Sequence, residues 1–192
     1  MESLCEDITG WRQALRREMA ARRTLLATTE HAVLSARIVA HAFAALARPT
    51  VAAFCWPIRN EPDIRALLAR WAEDGVRAAL PVVVAENAPL RFREWTPEGL
   101  LEADRYGIPT PTAGDWLTPD LILLPLNGFD GAGYRLGYGG GYFDRTLAAL
   151  VPRPLAVGVG FEINRIDSIR PAPHDQRLDW FITEDGAFRP AV

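Results

Sequence analysis

The stretch from Thr50 to Val84 does most to limit the fold. Thr50 to Trp56 is a short apolar run containing β-branched residues, which predicts a buried strand. Asn60-Glu61-Pro62-Asp63 then predicts a helix start: Asn60 can cap, proline suits the first turn, and acids suit the positive end of the helix dipole. Ile64, Leu67, Leu68 and Trp71 make one apolar stripe, and Gly75 ends the helix. Val76 to Val84 predicts a second strand. Two strands joined through a helix run parallel, and a parallel sheet is covered by helices on its faces. The expected fold class is α/β, a three-layer sandwich with a mainly parallel sheet flanked by helices in a Rossmann-like topology.

The remaining segments fit around that unit. A helix is expected from about Gly10 to Leu26, with Trp11, Leu15 and Met19 on one face and Arg12, Arg16, Arg17, Arg22 and Arg23 mostly on a solvated one. A second helix starts near Thr28 or Thr29, plausible N-caps, and ends before Pro49. Leu90 to Trp95 alternates like an edge strand, and Thr96 to Leu101 reads as a short capped helix. Gly107 to Pro119 reads as a long surface loop, a type often functional in compact domains. Leu121 to Pro125, Leu155 to Phe161 and Trp180 to Thr183 predict further strands, and Tyr142 to Leu150 a helix. At 192 residues, a single domain over 1–192 is the expectation.

The most unusual stretch is Arg135 to Arg145, RLGYGGGYFDR. Glycines at this density cost backbone entropy and pack no core. They suit a place where an anion must approach bare amide groups beside a helix N-terminus. The loop does not match G-x-G-x-x-G. All 21 basic residues of the chain are arginine, so it also lacks the lysine of a Walker-type phosphate loop. Any anion clamp here is arginine plus backbone. Asp144, in the first turn after the glycines, reads equally as a helix-start acid or as a Mg²⁺ ligand beside a polyphosphate. Tyr142 and Phe143 read as packing, although an aromatic beside such a loop can stack on a flat ligand.

A net charge of −3 argues against a protein that coats nucleic acid, and no apolar run is long enough to span a bilayer. The acidic N-terminus has no hydrophobic signal core, so a cytoplasmic protein is expected. Cys5 and Cys55 form neither a disulfide framework nor a zinc spacing and read as idle thiols. His31 and His41 read as structural, and His174-Asp175 as a loop hydrogen bond ordering the C-terminal turn.

RLGYGGGYFDR, preceded by PLNGFD (Pro125 to Asp130), resembles the signature of the 5-formyltetrahydrofolate cyclo-ligase family. Arg12 to Arg16 (RQALR), Trp56 to Asp63 (WPIRNEPD) and His174 to Glu184 (HDQRLDWFITE) are similar to other family blocks, in the family's order. The resemblance implies ATP-dependent cyclisation of 5-formyltetrahydrofolate to 5,10-methenyltetrahydrofolate with Mg²⁺. It implies that Arg12, Gln13, Ala14, Leu15 and Arg16 help bind ATP. Arg135, Leu136, Gly137, Tyr138, Gly139, Gly140, Gly141, Tyr142 and Phe143 would wrap the triphosphate, with Tyr138 to Tyr142 also bordering the folate. Trp56 and Glu61 would contact the folate, and Asp144 and Asp179 would hold Mg²⁺. Arg135 and Tyr142 are the residues expected to act on the reacting groups. The implied partners are 5-formyltetrahydrofolate and ATP, with no nucleic acid, no membrane and a monomeric state. Two departures stand out: Arg12 replaces a frequent lysine, and Tyr138 and Gly140 stand where some members carry basic residues. A non-catalytic folate- or nucleotide-binding homologue is the alternative reading.

Overall fold

A computed structural model describes residues 2–191; the side chains of residues 2–7 fall outside it, and with them the reading of the Cys5 thiol. The chain opens with helices α1 (Glu2–Thr24) and α2 (Thr28–Ala45), then runs through β1 (Val51–Phe54), α3 (Arg65–Glu73) and β2 (Arg77–Val82). Next come β3 (Arg91–Trp95), β4 (Leu101–Ala103), β5 (Pro109–Pro111), β6 (Trp116–Leu117) and β7 (Leu121–Pro125). The last part holds β8 (Gly128–Phe129), β9 (Arg135–Leu136), α4 (Tyr142–Ala149), β10 (Leu155–Val159), a 3-10 turn Glu162–Asn164, β11 (Trp180–Thr183) and β12 (Gly186–Phe188).

Eight strands form one sheet in the order β12-β11-β10-β7-β1-β2-β3-β6. The five central strands, β11 to β2 in that order, are mutually parallel, and the outer ones pair antiparallel. The parallel strands follow the doubly wound order 2-1-3-4-5. The chain winds one way from β1 through α3 to β2, and the other way from β7 through α4 to β10. Crossovers of one hand in opposite directions put their helices on opposite faces. Side-chain alternation carries this out. Phe54, Leu80, Leu121 and Leu123 pack with α2 and α3 through Ile38, Leu67 and Trp71. Ala53, Ala79, Ile122 and Leu124 face α4 through Leu147. Each such fully buried large side chain contributes about 1.5–3 kcal/mol of hydrophobic stabilisation.

Several local expectations give way to tertiary contacts. The helix after β1 begins at Arg65, not at Asn60. Asn60 lies at φ 58° and donates its side-chain amide to the Arg23 carbonyl at 2.6 Å, so its capping chemistry is used elsewhere. Ala27, not a threonine, precedes α2, and it makes no side-chain cap. The expected helix over Thr96 to Leu101 is instead a turn, closed by the Gly99 amide on the Thr96 carbonyl, because Leu101 and the residues after it pair as the β4–β5 hairpin. Strand β3 is not the edge: β6, within the expected loop, covers it.

Candidate active site

The windings diverge between β1 and β7, and open α/β sheets bind ligands beyond the carboxyl ends of the strands at such a switch point. A cleft of about 440 Å³ lies there. Cys55, Trp56 and Glu61 reach it from the segment after β1, Pro125 from β7, and Arg135 to Asp144 from β9, the glycine loop and the start of α4. Helix α1 passes over the same end of the sheet. It supplies Arg12 and Arg16, one turn apart on one face. Gln13 and Ala14 are exposed on the other side of α1, and neither they nor Leu15 line the cleft.

The glycine loop and α4 form the cationic end. Gly139 lies at φ 101° and Gly141 at φ 63°, conformations that L side chains rarely adopt. A Cβ on Gly140 would come within 2.9 Å of the Tyr142 ring, so all three glycines are needed for this path. Gly141 offers α4 no side-chain cap, which leaves the first-turn amides of Tyr142, Phe143 and Asp144 without intrahelical acceptors. Arg145 ties the loop down by donating to the Gly140 carbonyl at 2.6 Å.

The two α1 arginines differ in how far they are committed. Arg12 donates to the Ile169 and Arg170 carbonyls and to Asp175 Oδ2 at 2.6 Å. Burial opposes the Asp175 charge, but Arg12, the Ala172 amide and His174 outweigh it and hold the carboxyl below its ordinary pKa. Asp175 therefore does the ordering expected of it and lines the cleft as well. Among the described residues Arg16 spends only Nε, on the Gly137 carbonyl at 2.7 Å, while its terminal nitrogens stand against Gly139. Burial, then the nearby Arg12 charge, lowers the pKa of Arg16, so an arriving anion relieves it.

Arg135, 7% exposed, donates to Asp144 Oδ1 at 3.2 Å. The Gln176 amide donates to the same oxygen at 3.0 Å. Among the described residues Asp144 Oδ2 has no partner. Asp179 is elsewhere, and the expectation that it joins Asp144 is corrected here. It precedes β11, at the amino end of a parallel strand, and its carboxylate accepts from Arg153 and the Ala156 amide, both at 2.8 Å. An acid just before a parallel strand points to the wrong end of the sheet, a signal already present in the order of the elements.

The rest of the cleft lining is largely apolar and includes Trp56, Ile58, Pro81, Val83, Leu90 and Ile108. Trp56 meets Trp95 edge-on at 6.2 Å, with the Arg65 guanidinium over its ring at 5.1 Å. Glu61 is 5% exposed. Its carboxylate accepts from the Tyr138 hydroxyl and from the Ile58 amide at 3.0 Å. Burial pushes its pKa up, and the Tyr138 and Ile58 hydrogen bonds and the charges of Arg23 and Arg59 act against that. Burial, then Glu61, pushes the Cys55 thiol far above its usual range, which leaves it no nucleophile.

Some site residues were missed. Tyr106 and Asp104, on the β4–β5 hairpin, line the cleft, and the Tyr106 hydroxyl meets that of Tyr142 at 2.9 Å. That hydrogen bond, more than burial, raises the Tyr142 pKa, so Tyr142 stays neutral. Arg23 is fully buried rather than solvated. Its signal was the helical spacing, since position 23 lies two turns beyond Arg16 on the same face.

The profile of the 5-formyltetrahydrofolate cyclo-ligase family matches residues 8–184. A 5-formyltetrahydrofolate cyclo-ligase of Mycolicibacterium smegmatis is 33% identical over 144 residues, covering 70% of this chain and 73% of the relative. A solved 5,10-methenyltetrahydrofolate synthetase from Mycoplasma pneumoniae superposes with a TM-score of 0.74 at 25% identity, over 90% of this chain and 98% of that one. The Aquifex aeolicus 5,10-methenyltetrahydrofolate synthetase gives 0.79 at 26% identity, over 94% and 93%. The doubly wound sheet, the cleft at its switch point and a family match over nearly the whole chain agree, and the chain belongs to the 5-formyltetrahydrofolate cyclo-ligase family.

Proposed function

We propose that the protein cyclises 5-formyltetrahydrofolate to 5,10-methenyltetrahydrofolate at the expense of ATP, with both substrates in the one cleft. The observation that carries this reading is the cleft's mixed lining. It joins a nest of amides and arginines suited to a triphosphate to apolar walls, Trp56 among them, beside a single buried carboxylate, Glu61. A flat pterin suits such apolar walls, and its N–H edge suits Glu61, which accepts but does not donate when ionised.

A formamide carbonyl is a poor electrophile. The formyl oxygen attacks the γ-phosphorus, the bond to the bridging oxygen breaks, and ADP leaves. Folate N10 then attacks the activated carbon, the carbon–oxygen bond breaks, and inorganic phosphate departs while N10 loses its proton. Transfer of this kind rests on positioning and charge stabilisation rather than on a protein nucleophile. In this reading Arg16 and the amides from Gly137 to Asp144 hold the phosphates. Arg12 sets the local charge and position, because Asp175 occupies it. Arg135, dry and aimed into the cleft, stabilises the transferring group, and Tyr142 borders it as a neutral hydroxyl.

Mg²⁺ fits the residues present only as a partner of the nucleotide. Among the described residues no three His, Cys, Asp or Glu side chains cluster as a metal site. Asp144 Oδ2 is one available carboxylate oxygen, and Mg²⁺ usually takes one or two carboxylates plus phosphate oxygens. Asp144 would therefore hold the ion, which when bound neutralises phosphate charge.

The direct test mixes purified protein with 5-formyltetrahydrofolate, Mg²⁺ and ATP and follows the near-ultraviolet absorbance of the methenyl product. An ATP-dependent rise is expected; folate binding with no turnover would select the non-catalytic alternative. Two variants probe the phosphate end. Asp144→Asn is expected to lower kcat and raise the Mg²⁺ concentration needed for half-maximal rate. If only the melting temperature falls, by the equivalent of about 0.3–1 kcal/mol, Asp144 is a helix-start acid alone. Gly139→Ala forces a side chain into φ 101° against the Arg16 guanidinium. At about 1–3 kcal/mol of local strain, the KM for ATP rises about tenfold or more while the folate KM stays within about threefold. Equal rises in both constants would contradict the assignment of the loop to ATP.

A further inference from the structure

We propose that Arg23 is a positioning residue for the folate end of the cleft, holding the Tyr138 hydroxyl and keeping the Glu61 carboxylate charged and aimed at the substrate. The proposal rests on the reading of Glu61 as the pterin-binding group.

Arg23 is 0% exposed, and among the described residues no carboxylate lies within 4 Å of it. Buried arginines are normally paired with an acid. Here every partner is a neutral oxygen. Nη1 donates to Asn127 Oδ1 at 2.8 Å and to the Asn127 carbonyl at 3.4 Å. Nε donates to the Arg59 carbonyl at 3.3 Å, and Nη2 to the Tyr138 hydroxyl at 3.4 Å. Tyr138 in turn donates to Glu61. The order is cation, hydroxyl, carboxylate, drawn from α1, the glycine loop and the segment after β1.

Asn127 is itself fixed, since Asn164 donates to its carbonyl at 2.8 Å. The guanidinium is thus held on fixed neutral oxygens, and among the described residues no acid in contact cancels its charge. Its field falls on Glu61. The Tyr138 contact is long, so Arg23 acts mainly through that field. Other groups facing Glu61 do not replace it. Arg59, over the Tyr138 ring at 5.4 Å, is exposed and screened by solvent. Cys55 and Tyr138 are held neutral, the tyrosine raised well above its ordinary pKa chiefly by burial and then by Glu61. His31 of α2 meets only the Glu61 backbone carbonyl, at 2.8 Å. Structural anchoring of α1 is served by Asn127 and the Arg59 carbonyl; the Tyr138 bond is the one that leads on to the Glu61 carboxylate.

The test titrates the Glu61 side-chain carboxyl by carbon NMR in the ligand-free full chain, with Glu61→Gln to assign the resonance. In Arg23→Gln the midpoint is expected to rise by about one pH unit or more, and in Arg23→Lys to fall back toward wild type. The dissociation constant for 5-formyltetrahydrofolate in Arg23→Gln is expected to be raised about tenfold near neutrality and to recover as pH increases to 9. An unchanged Glu61 midpoint, or a binding defect constant across pH, overturns the proposal. If Arg23→Gln does not fold, Arg23→Met, which keeps the apolar stem, is titrated instead, and it too must raise the midpoint. Failure of wild type to bind the folate at any pH would defeat the reading of Glu61 as pterin-binding, whereas the ligand-free titration still decides whether Arg23 sets the Glu61 charge.

Discussion

Glu61→Gln is expected to lower kcat/KM for 5-formyltetrahydrofolate by about 10²-fold while leaving the protein folded and, near neutrality, no less stable. The size of the loss follows from chemistry rather than shape. Glutamine fills the same volume, yet turns one acceptor oxygen into an NH₂ donor facing a donor edge. A site built around a hydrogen bond to a charged group loses about 1.5–3 kcal/mol when the bond is removed, and more when two donors are opposed. The stability side follows from linkage. Burial raises the Glu61 pKa in the folded state above its value in the unfolded chain. A raised carboxyl contributes stability that is fully present below the unfolded value, about 4.3, and is lost as pH rises through the folded value. Glutamine carries no such dependence. The melting temperature of the variant minus that of wild type should therefore climb between pH 4 and pH 7.5. Thermal unfolding over that range measures it; a flat or falling difference would mean that the buried charge costs the fold nothing.

Arg135→Met is expected to have the largest effect on turnover, about 10²- to 10³-fold in kcat with a much smaller change in either KM. A preorganised donor aimed at developing charge in a dry site is worth about that much, and Arg135 is 7% exposed at the rim of the phosphate nest. Among the described residues the side chain makes one ion pair, with Asp144, and that acid keeps the Gln176 amide when the arginine is gone. The methionine stem fills most of the same apolar space, so the fold should survive. Steady-state rates with each substrate varied in turn test this. A rise in the KM for ATP with kcat unchanged would make Arg135 a ground-state binding residue and remove it from the chemical step.

The elements around the site were largely legible. Strands β1, β2, β7 and β10 and helix α4 announce themselves by short apolar runs and a helical stripe, which are local properties of the chain. The glycine block is equally local. Three residues with no Cβ in a row, followed at once by a helix, dictate a loop that exposes amides whatever surrounds it. The boundaries that failed did so where a side chain found a distant partner. Asn60 had capping chemistry, but the Arg23 carbonyl took it. Thr96 had a helix-start signal, but the β4–β5 pairing overrode it.

By itself the sequence determined the doubly wound α/β class, the anion-ready loop and the family blocks, because periodicity, turn chemistry and glycine freedom act within a few residues. Only the tertiary structure decided which charges meet. Arg12 pairs with Asp175 across 163 positions of sequence, and Tyr138 reaches Glu61 across 77. It separated Asp179 from Asp144 by placing the two acids at opposite ends of parallel strands, and it buried Arg23, whose composition alone reads as solvated. The physical reason is that a charge has no local pattern to declare its partner: its place is set by the dielectric and the dipoles that the finished fold brings around it.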